Sequence, residues 1–153
     1  MIKSWMVIGA VTFLVAFGSS LIRPKDIKWF SRLQRPQWLT FEKLIPVIWI
    51  VVFICGAWSA YLVWEQTQNW QLMAFYLLVE VAIVLYSPVM FWTRSLRIGV
   101  AIGGLGFLLG IPLALIVWQI SGWAALLLLP YLIWSPIGTY TTWEMSKLNP
   151  ESA

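Results

Sequence analysis

Residues 98–143 read IGVAIGGLGFLLGIPLALIVWQISGWAALLLLPYLIWSPIGTYTTW, and this uncharged run decides the fold class. A hydrocarbon core about 30 Å thick is crossed by about 20 apolar helical residues, and the run is about twice that long. It must therefore cross the membrane twice. Its best break is Ser121-Gly122, a polar and flexible pair between Trp118 and Trp123, which resemble interfacial anchors. The two predicted helices cover about 98–120 and 123–143.

Three more stretches upstream of this run have the length and composition of membrane spans. They are almost free of charge and cover residues 4–22, 44–64 and 71–93. The whole chain is 61% hydrophobic and 10% charged, with a mean hydropathy of +0.82, far above that of a soluble domain. We predict an all-α integral membrane bundle of five transmembrane helices, which forms a single domain over residues 1–153 in the lipid bilayer.

A signal peptide is the alternative interpretation of residues 1–22, because Ala16-Phe17-Gly18 loosely resembles a small-residue cleavage site. The positive charge lies mostly after this apolar stretch, the stretch is longer than a signal peptide needs, and more spans follow. We therefore interpret it as the first span.

The cations predict the orientation, since Lys and Arg accumulate in short cytoplasmic loops. The first connection and the third connection hold most of them, and the tail adds one: Arg23, Lys25, Lys28, Arg32, Arg35, Lys43; Arg94, Arg97; Lys147. The opposite side has Lys3 alone. We predict that the N-terminus lies outside and the C-terminus in the cytoplasm. The net charge of +4 is then a feature of topology, and no nucleic-acid partner is expected.

The missing residue types exclude several kinds of chemistry. The chain has no histidine and a single cysteine, Cys55, so the common catalytic triads, cysteine-based zinc sites and His-ligated haem are excluded. We predict no catalytic residue, no metal site and no obligatory cofactor. Small residues spaced three or four apart, at Gly56, Ala57 and Ala60 and along 99–110, indicate close helix packing and are compatible with a homodimer.

Glu80 is the only acid well inside a span, where an ionised carboxylate is costly and usually faces the bundle interior or a water-filled cavity. Two interpretations remain open. Glu80 is a functional group, or it reaches the interface or pairs with backbone donors. In the first case an alternative function is a small-molecule transporter or exporter in which Glu80 is the coupled group.

The connection 23–43 is the only long one, and its aromatic residues favour an ordered lid over a disordered linker. Six of the twelve tryptophans lie near predicted span ends, where they anchor helices at the interface: Trp5, Trp64, Trp70, Trp118, Trp123 and Trp143. Trp29 and Trp38 lie in the lid, and Trp49, Trp58 and Trp134 lie inside or near the inner span ends. Such indoles could wall a pocket for a flat apolar ligand, although helix packing explains any single one equally well.

Four strings, in order along nearly the whole chain, resemble the tryptophan-rich sensory protein (TspO/MBR) family. WFSRLQRPQW over 29–38 resembles the W-Y-x-x-L-x-K-P-x-W signature, and Trp49 follows at the family's spacing. YSPVMF over 86–91, followed by two arginines, is similar to W-S-P-x-F-F and a basic turn. LLLPYLIW over 127–134 is similar to L-L-x-P-Y-x-x-W, and Lys147-Leu148-Asn149 resembles the family's ending.

The resemblance implies the same five-helix plan and a pocket under the first loop that binds porphyrins, other tetrapyrroles or, in some members, cholesterol or synthetic ligands. Carried onto matching positions, the pocket involves six residues: Phe30, Trp38, Trp49, Phe53, Trp134 and Gly138. Arg32 and Arg35 could meet ring carboxylates. The expected function is a membrane receptor or sensory protein linked to tetrapyrrole homeostasis or stress signalling. Photochemical degradation of a bound porphyrin, as proposed for relatives, is a further option.

Some positions depart from the family pattern. Phe30 replaces a tyrosine, Leu39-Thr40 replaces a Pro-Pro pair, and Ile83 and Thr142 fall where asparagines are usual. These changes remove polar ligand contacts. Glu80, one turn before Ile83, could partly substitute, so both join the expected ligand contacts. The C-terminal cholesterol motif fails by spacing, so we do not predict sterol binding.

Overall fold

A computed structural model describes residues 2–153, and most of these residues are helical. Seven α-helices follow one another: α1 Ser4–Phe17, α2 Pro24–Ser31, α3 Ile45–Thr67, α4 Trp70–Thr93, α5 Leu96–Ile120, α6 Gly122–Leu127 and α7 Leu129–Leu148. Short 3₁₀ turns at Gly18–Ser20, Glu42–Leu44 and Pro150–Ser152 complete the order. Four elements are long and apolar enough to cross a membrane: Glu42–Thr67, α4, α5 and Gly122–Leu148. The predicted all-α membrane bundle is confirmed.

The first span is a broken one. Ser4–Ser20 and Pro24–Ser31 pass the same test only as a pair, with a bend of 71° between them, and the total reaches five when that pair is counted as one span. Pro24 occupies the first turn of α2, where its missing N–H costs nothing and its ring prevents α1 from continuing. The connection 23–43 is therefore not a plain loop, because it contains α2 and leads into a 3₁₀ turn.

Local capping residues fix the other breaks. Asn69 accepts the backbone N–H groups of Gln71 and Leu72 at the start of α4, and Ser95 accepts that of Ile98 in α5. Ser121 ends α5 and its side chain caps α6 through Ala124, which confirms the predicted break at Ser121-Gly122. Helices α6 and α7 join at Leu128, just before Pro130 in the first turn of α7.

Helix α5 packs closely on α4 and α7 through its glycines. A Cβ atom at Gly99 would lie 2.5 Å from the Met90 sulfur, and one at Gly103 would lie 2.5 Å from Thr139 Oγ1. A Cβ at Gly106 would lie 2.8 Å from the Tyr131 hydroxyl. The predicted role of this small-residue face in helix packing is confirmed, because no larger side chain fits there.

The small residues of α3 act differently. A Cβ atom at Gly56 would meet nothing within 4 Å, and Gly56, Ala57 and Ala60 line open space next to α1. Nearby, the buried Ser59 hydroxyl bonds the Tyr76 hydroxyl and the Ala124 carbonyl, each at 2.7 Å, and so ties α3 to α4 and α6. The packing of α3 therefore uses its polar Ser59, while its small-residue face borders a cavity.

Candidate ligand-binding site

Residues 24–44, which we call the lid, cover one end of the bundle. Phe30 of the lid stacks on Phe91 of α4 with ring centroids 4.8 Å apart, and Trp29 meets the same ring edge-on at 5.8 Å. Phe41 meets Trp134 of α7 edge-on at 6.3 Å. Such offset and edge-on pairs stabilise beyond their buried area, so the lid is an ordered cover rather than a linker.

An ion pair fastens the start of the lid. Asp26 is fully buried and accepts the Nε of Arg23 at 2.7 Å and the Nη2 of Arg94 at 3.3 Å. The hydrogen-bonded Arg23 guanidinium lowers the pKa of the Asp26 carboxyl below its ordinary value, assisted by Arg94 and opposed by burial. Since Arg94 follows α4, this cluster joins α2 to the α4–α5 turn.

The C-terminal tail fastens the middle of the lid. The buried Asn149 side chain accepts the Gln34 backbone N–H at 2.9 Å and donates to the Gln34 carbonyl at 3.0 Å. The Trp29 indole donates to the Ser152 hydroxyl at 3.1 Å. The Asn149 side chain thus satisfies both the backbone N–H and the backbone carbonyl of Gln34, as a neighbouring strand in a β-sheet would.

Arg35 holds the lid together internally. Its Nε lies 3.1 Å from Glu42, and its Nη1 donates to the carbonyls of Phe30 and Leu33 at 2.6 and 2.7 Å. The guanidinium also covers the Phe30 ring at 4.5 Å. These contacts give Arg35 a structural role in the lid, whereas Arg32 is exposed on the lid surface.

A cavity of about 290 Å³, the lid cavity, lies between the lid and helices α3, α4, α5 and α7. Of the residues expected to bind a ligand, five line it: Phe30, Trp49, Ile83, Trp134 and Gly138. Trp49 and Trp134 cross at 89° with centroids 6.5 Å apart, and so form a corner of the wall. Trp38 lies outside the cavity wall, where it is partly exposed and stacks on Tyr140 at 6.0 Å.

Trp134 carries an unmatched donor. Its indole Nε1 is buried and is the one buried side-chain polar atom without a hydrogen-bond partner among residues 2–153. Leaving a buried donor unpaired costs about 1–3 kcal/mol, and tryptophan N–H groups usually find a partner. An acceptor on a bound ligand would remove this cost.

Thr142, which stands in place of an expected asparagine, is already engaged. Its hydroxyl bonds the Tyr86 hydroxyl and donates to the Gly138 carbonyl. The Thr142 hydroxyl therefore takes part in the contact between α4 and α7.

A second cavity, of about 430 Å³, lies between α1, α3 and α4, and we call it the α1 cavity. Phe53 and Glu80, both expected in the same pocket as Trp134, line this cavity instead. Ile83 and Tyr131 line both cavities and so form the boundary between them. The expected contacts are thus divided between two spaces, and Glu80 lies apart from the wall of the lid cavity.

Several residues that shape the site were not among the predicted contacts. Phe91 lies in the YSPVMF string and Asn149 in the Lys-Leu-Asn ending, so the strings themselves marked both. Tyr86 opens the same YSPVMF string, whereas Phe41 shows only its aromatic character in the sequence. Nothing local indicates that Phe41 would meet Trp134 across the lid.

Comparison with known proteins points to a single family. The family model described as TspO/MBR family matches residues 6–148. The chain is similar to the tryptophan-rich sensory protein of Cereibacter sphaeroides, with 26% identity over 91% of this chain and 90% of the relative. It is similar to the tryptophan-rich protein TspO of Bacillus cereus, at 25% over 96% and 97% of the two chains, and to the human translocator protein, at 28% over 83% and 80%.

Proposed function

The chain belongs to the TspO/MBR family, and we propose that it is a membrane receptor that binds a flat, apolar ligand with a hydrogen-bond acceptor in the lid cavity. The observation that carries the proposal is the buried Nε1 of Trp134, a residue of the cavity wall, because this donor has no partner among residues 2–153. An aromatic wall with a few placed polar groups is the usual composition of a small-molecule site.

The size of the cavity bears on which ligand it takes. Its volume of about 290 Å³ lies just below the range for drug-sized ligand sites, about 300–1,000 Å³. A small flat ligand fits as the cavity stands. A tetrapyrrole would have to displace part of the lid, and that displacement is a physical basis for sensing tetrapyrrole levels.

Polar ends of such a ligand would meet the lid. We propose that a ring carboxylate pairs with Arg32, which is exposed, rather than with Arg35, whose Nε and Nη1 already bond within the lid. Trp38 would then border the opening and not the floor of the site, because it lies on the outer side of the lid against Tyr140.

The test is a fluorescence-quenching titration of the purified protein with protoporphyrin IX, compared across two glycine variants. Gly138→Leu places a larger side chain in the lid cavity, where a Cβ would touch the Trp134 ring at 3.4 Å. Gly104→Leu is the matched control, since it lies on α5 outside both cavity walls and a Cβ there meets nothing within 4 Å.

We expect saturable quenching of the native protein and of Gly104→Leu, and at least about tenfold weaker binding to Gly138→Leu, equivalent to about 1.4 kcal/mol. Equal affinity of the native protein and Gly138→Leu would place the porphyrin elsewhere. Quenching without saturation in all three proteins would reject porphyrin as a ligand.

A further inference from the structure

The α1 cavity is a second, partly open cavity with its own walls. One face of α1 and one face of α4 border it, and the small residues Gly56, Ala57 and Ala60 of α3 leave it open. Trp64 and Trp70 close one end, with ring centroids 4.8 Å apart. At about 430 Å³ it is larger than the lid cavity and within the range of drug-sized ligand sites.

Glu80 places a carboxyl group in this apolar space. It lies ten residues after Trp70 on α4, or about 15 Å along the helix, close to the middle of a candidate span of 24 residues. The Thr12 hydroxyl of α1 lies beside it. None of the described residues that line the cavity is a lysine or an arginine, so the wall offers no cation to this acid.

A carboxyl group at this depth is costly unless it is matched by an opposite charge or by donors. Since the wall supplies no cation, Glu80 is either a neutral acid in the empty cavity or the partner of a cationic occupant. The occupant must also be apolar elsewhere, because the rest of the wall consists almost entirely of hydrocarbon and aromatic side chains.

We propose that the α1 cavity is a second ligand site, which binds a membrane-dissolved amphiphilic amine with its protonated amino group on Glu80 and its apolar body between α1, α3 and α4. A phospholipid with an amine headgroup is a poorer occupant. Its headgroup stays at the membrane surface, whereas the carboxyl of Glu80 belongs to the middle of α4. The site does not depend on a ligand in the lid cavity, since Ile83 and Tyr131 separate the two spaces.

The test uses two probes of equal length, a dodecylamine and a dodecanol that each carry bromine at the chain end. Bromine quenches tryptophan fluorescence on contact, and Trp64 and Trp70 lie at the end of the cavity. The protein is reconstituted in lipid nanodiscs and titrated with each probe, in native form and as Glu80→Gln, Gly56→Leu, Gly138→Leu and Gly104→Leu.

We expect saturable quenching of the native protein by the amine, with an affinity about tenfold higher than that of the alcohol, because a charged hydrogen bond adds to the apolar contact. Glu80→Gln keeps the size of the side chain, and it should bring the amine and the alcohol to equal affinity. Gly56→Leu fills the open space next to Gly56 and should abolish saturable quenching by both. Gly138→Leu and Gly104→Leu should behave like the native protein.

Three results would overturn the proposal. The first is equal native affinity for amine and alcohol, and the second is a preference for the amine that survives in Glu80→Gln. The third is loss of amine binding in Gly138→Leu with retention in Gly56→Leu, which would move the amine into the lid cavity. Equal affinity of the native protein for the two probes would overturn the proposal even if a variant fails to fold. The porphyrin titration of Gly138→Leu tests the lid cavity alone. A negative result for one proposed site therefore leaves the proposal for the other site intact.

Discussion

At the scale of single residues, Trp134 concentrates the properties that a receptor pocket needs. Its ring packs against Phe41 and Trp49, while its N–H has no acceptor within residues 2–153. The ring therefore stabilises the fold, whereas the unpaired donor contributes nothing to it. Separating these two contributions requires a substitution that keeps the aromatic area and removes the donor.

Trp134→Phe is that substitution. We expect its affinity for protoporphyrin IX to fall roughly two- to tenfold, the range of one hydrogen bond of about 0.5–1.5 kcal/mol. The midpoint of thermal unfolding should change little, because loss of ring area is offset by removal of an unpaired buried donor. Trp123→Phe, at an exposed indole remote from both cavity walls, is the control and should match the native protein in both measurements. Unchanged affinity in Trp134→Phe would mean that the indole N–H does not meet the ligand.

At the scale of elements, the lid is held at two places by contacts of different chemistry. The Asp26 cluster with Arg23 and Arg94 is ionic, and the Asn149 contact with Gln34 is made of neutral hydrogen bonds. Only the first of these contacts should respond to pH. The Arg35–Glu42 pair within the lid is a second ionic contact, and it lies away from the α4–α5 turn.

Acidification should therefore loosen the attachment of α2, while the neutral contact of Asn149 with Gln34 persists. Because Arg23 lowers the pKa of Asp26, the ion pair stabilises the lid fully above the ordinary aspartate pKa of about 3.9. This stabilisation is lost as the pH falls through the lower pKa of the folded state. We expect a change in tryptophan fluorescence from the lid below about pH 4 that is absent in Asp26→Asn, which should resemble the acidified native protein at neutral pH. The same pH profile in both proteins would assign the transition to a group other than Asp26.

At the scale of the whole molecule, hydrogen bonds and ion pairs between elements show which connecting segments lie together at each end of the bundle. Asp26 and Arg94 meet at one end, which also receives the C-terminal tail through Asn149. At the other end the Ser4 hydroxyl bonds Glu65, so the start of α1 meets the end of α3. Most cations lie at the first end, and we therefore propose that this end faces the cytoplasm. We also propose that residues 1–153 act as one domain and that homodimers form in the membrane.

Single cysteines on a Cys55→Ser background test the orientation. Lys28→Cys lies on exposed α2 at the cation-rich end, and Gln66→Cys lies exposed near the end of α3. A maleimide that does not cross membranes should label Gln66→Cys in intact cells and label Lys28→Cys only after permeabilisation. The reverse pattern would invert the orientation, and equal labelling of both in intact cells would contradict a single topology.

The sequence by itself determined the number of spans, their breaks and the lid. These features are local: apolar length sets the spans, Ser121-Gly122 marks the break in the longest run, and the aromatic strings 29–38 and 127–134 mark the family. The predicted helix ends fall within a few residues of the observed ones, apart from the bend after α1 and the extra turn of α7 to Leu148. Hydropathy and capping need no knowledge of distant parts of the chain, which is why they could be predicted.

Only the tertiary structure decided how the expected contacts are shared between two cavities. In a soluble protein an apolar stripe shows which helix face is buried, but these helices are apolar on all sides, because lipid and protein interior are equally apolar. Nothing in the sequence thus indicated that Glu80 and Phe53 would face α1 while Trp134 faces the lid. The contacts of Asn149 with Gln34 and of Phe41 with Trp134 likewise join residues far apart in the chain. Helix rotation and long-range contacts, rather than local pattern, determine where a ligand can bind.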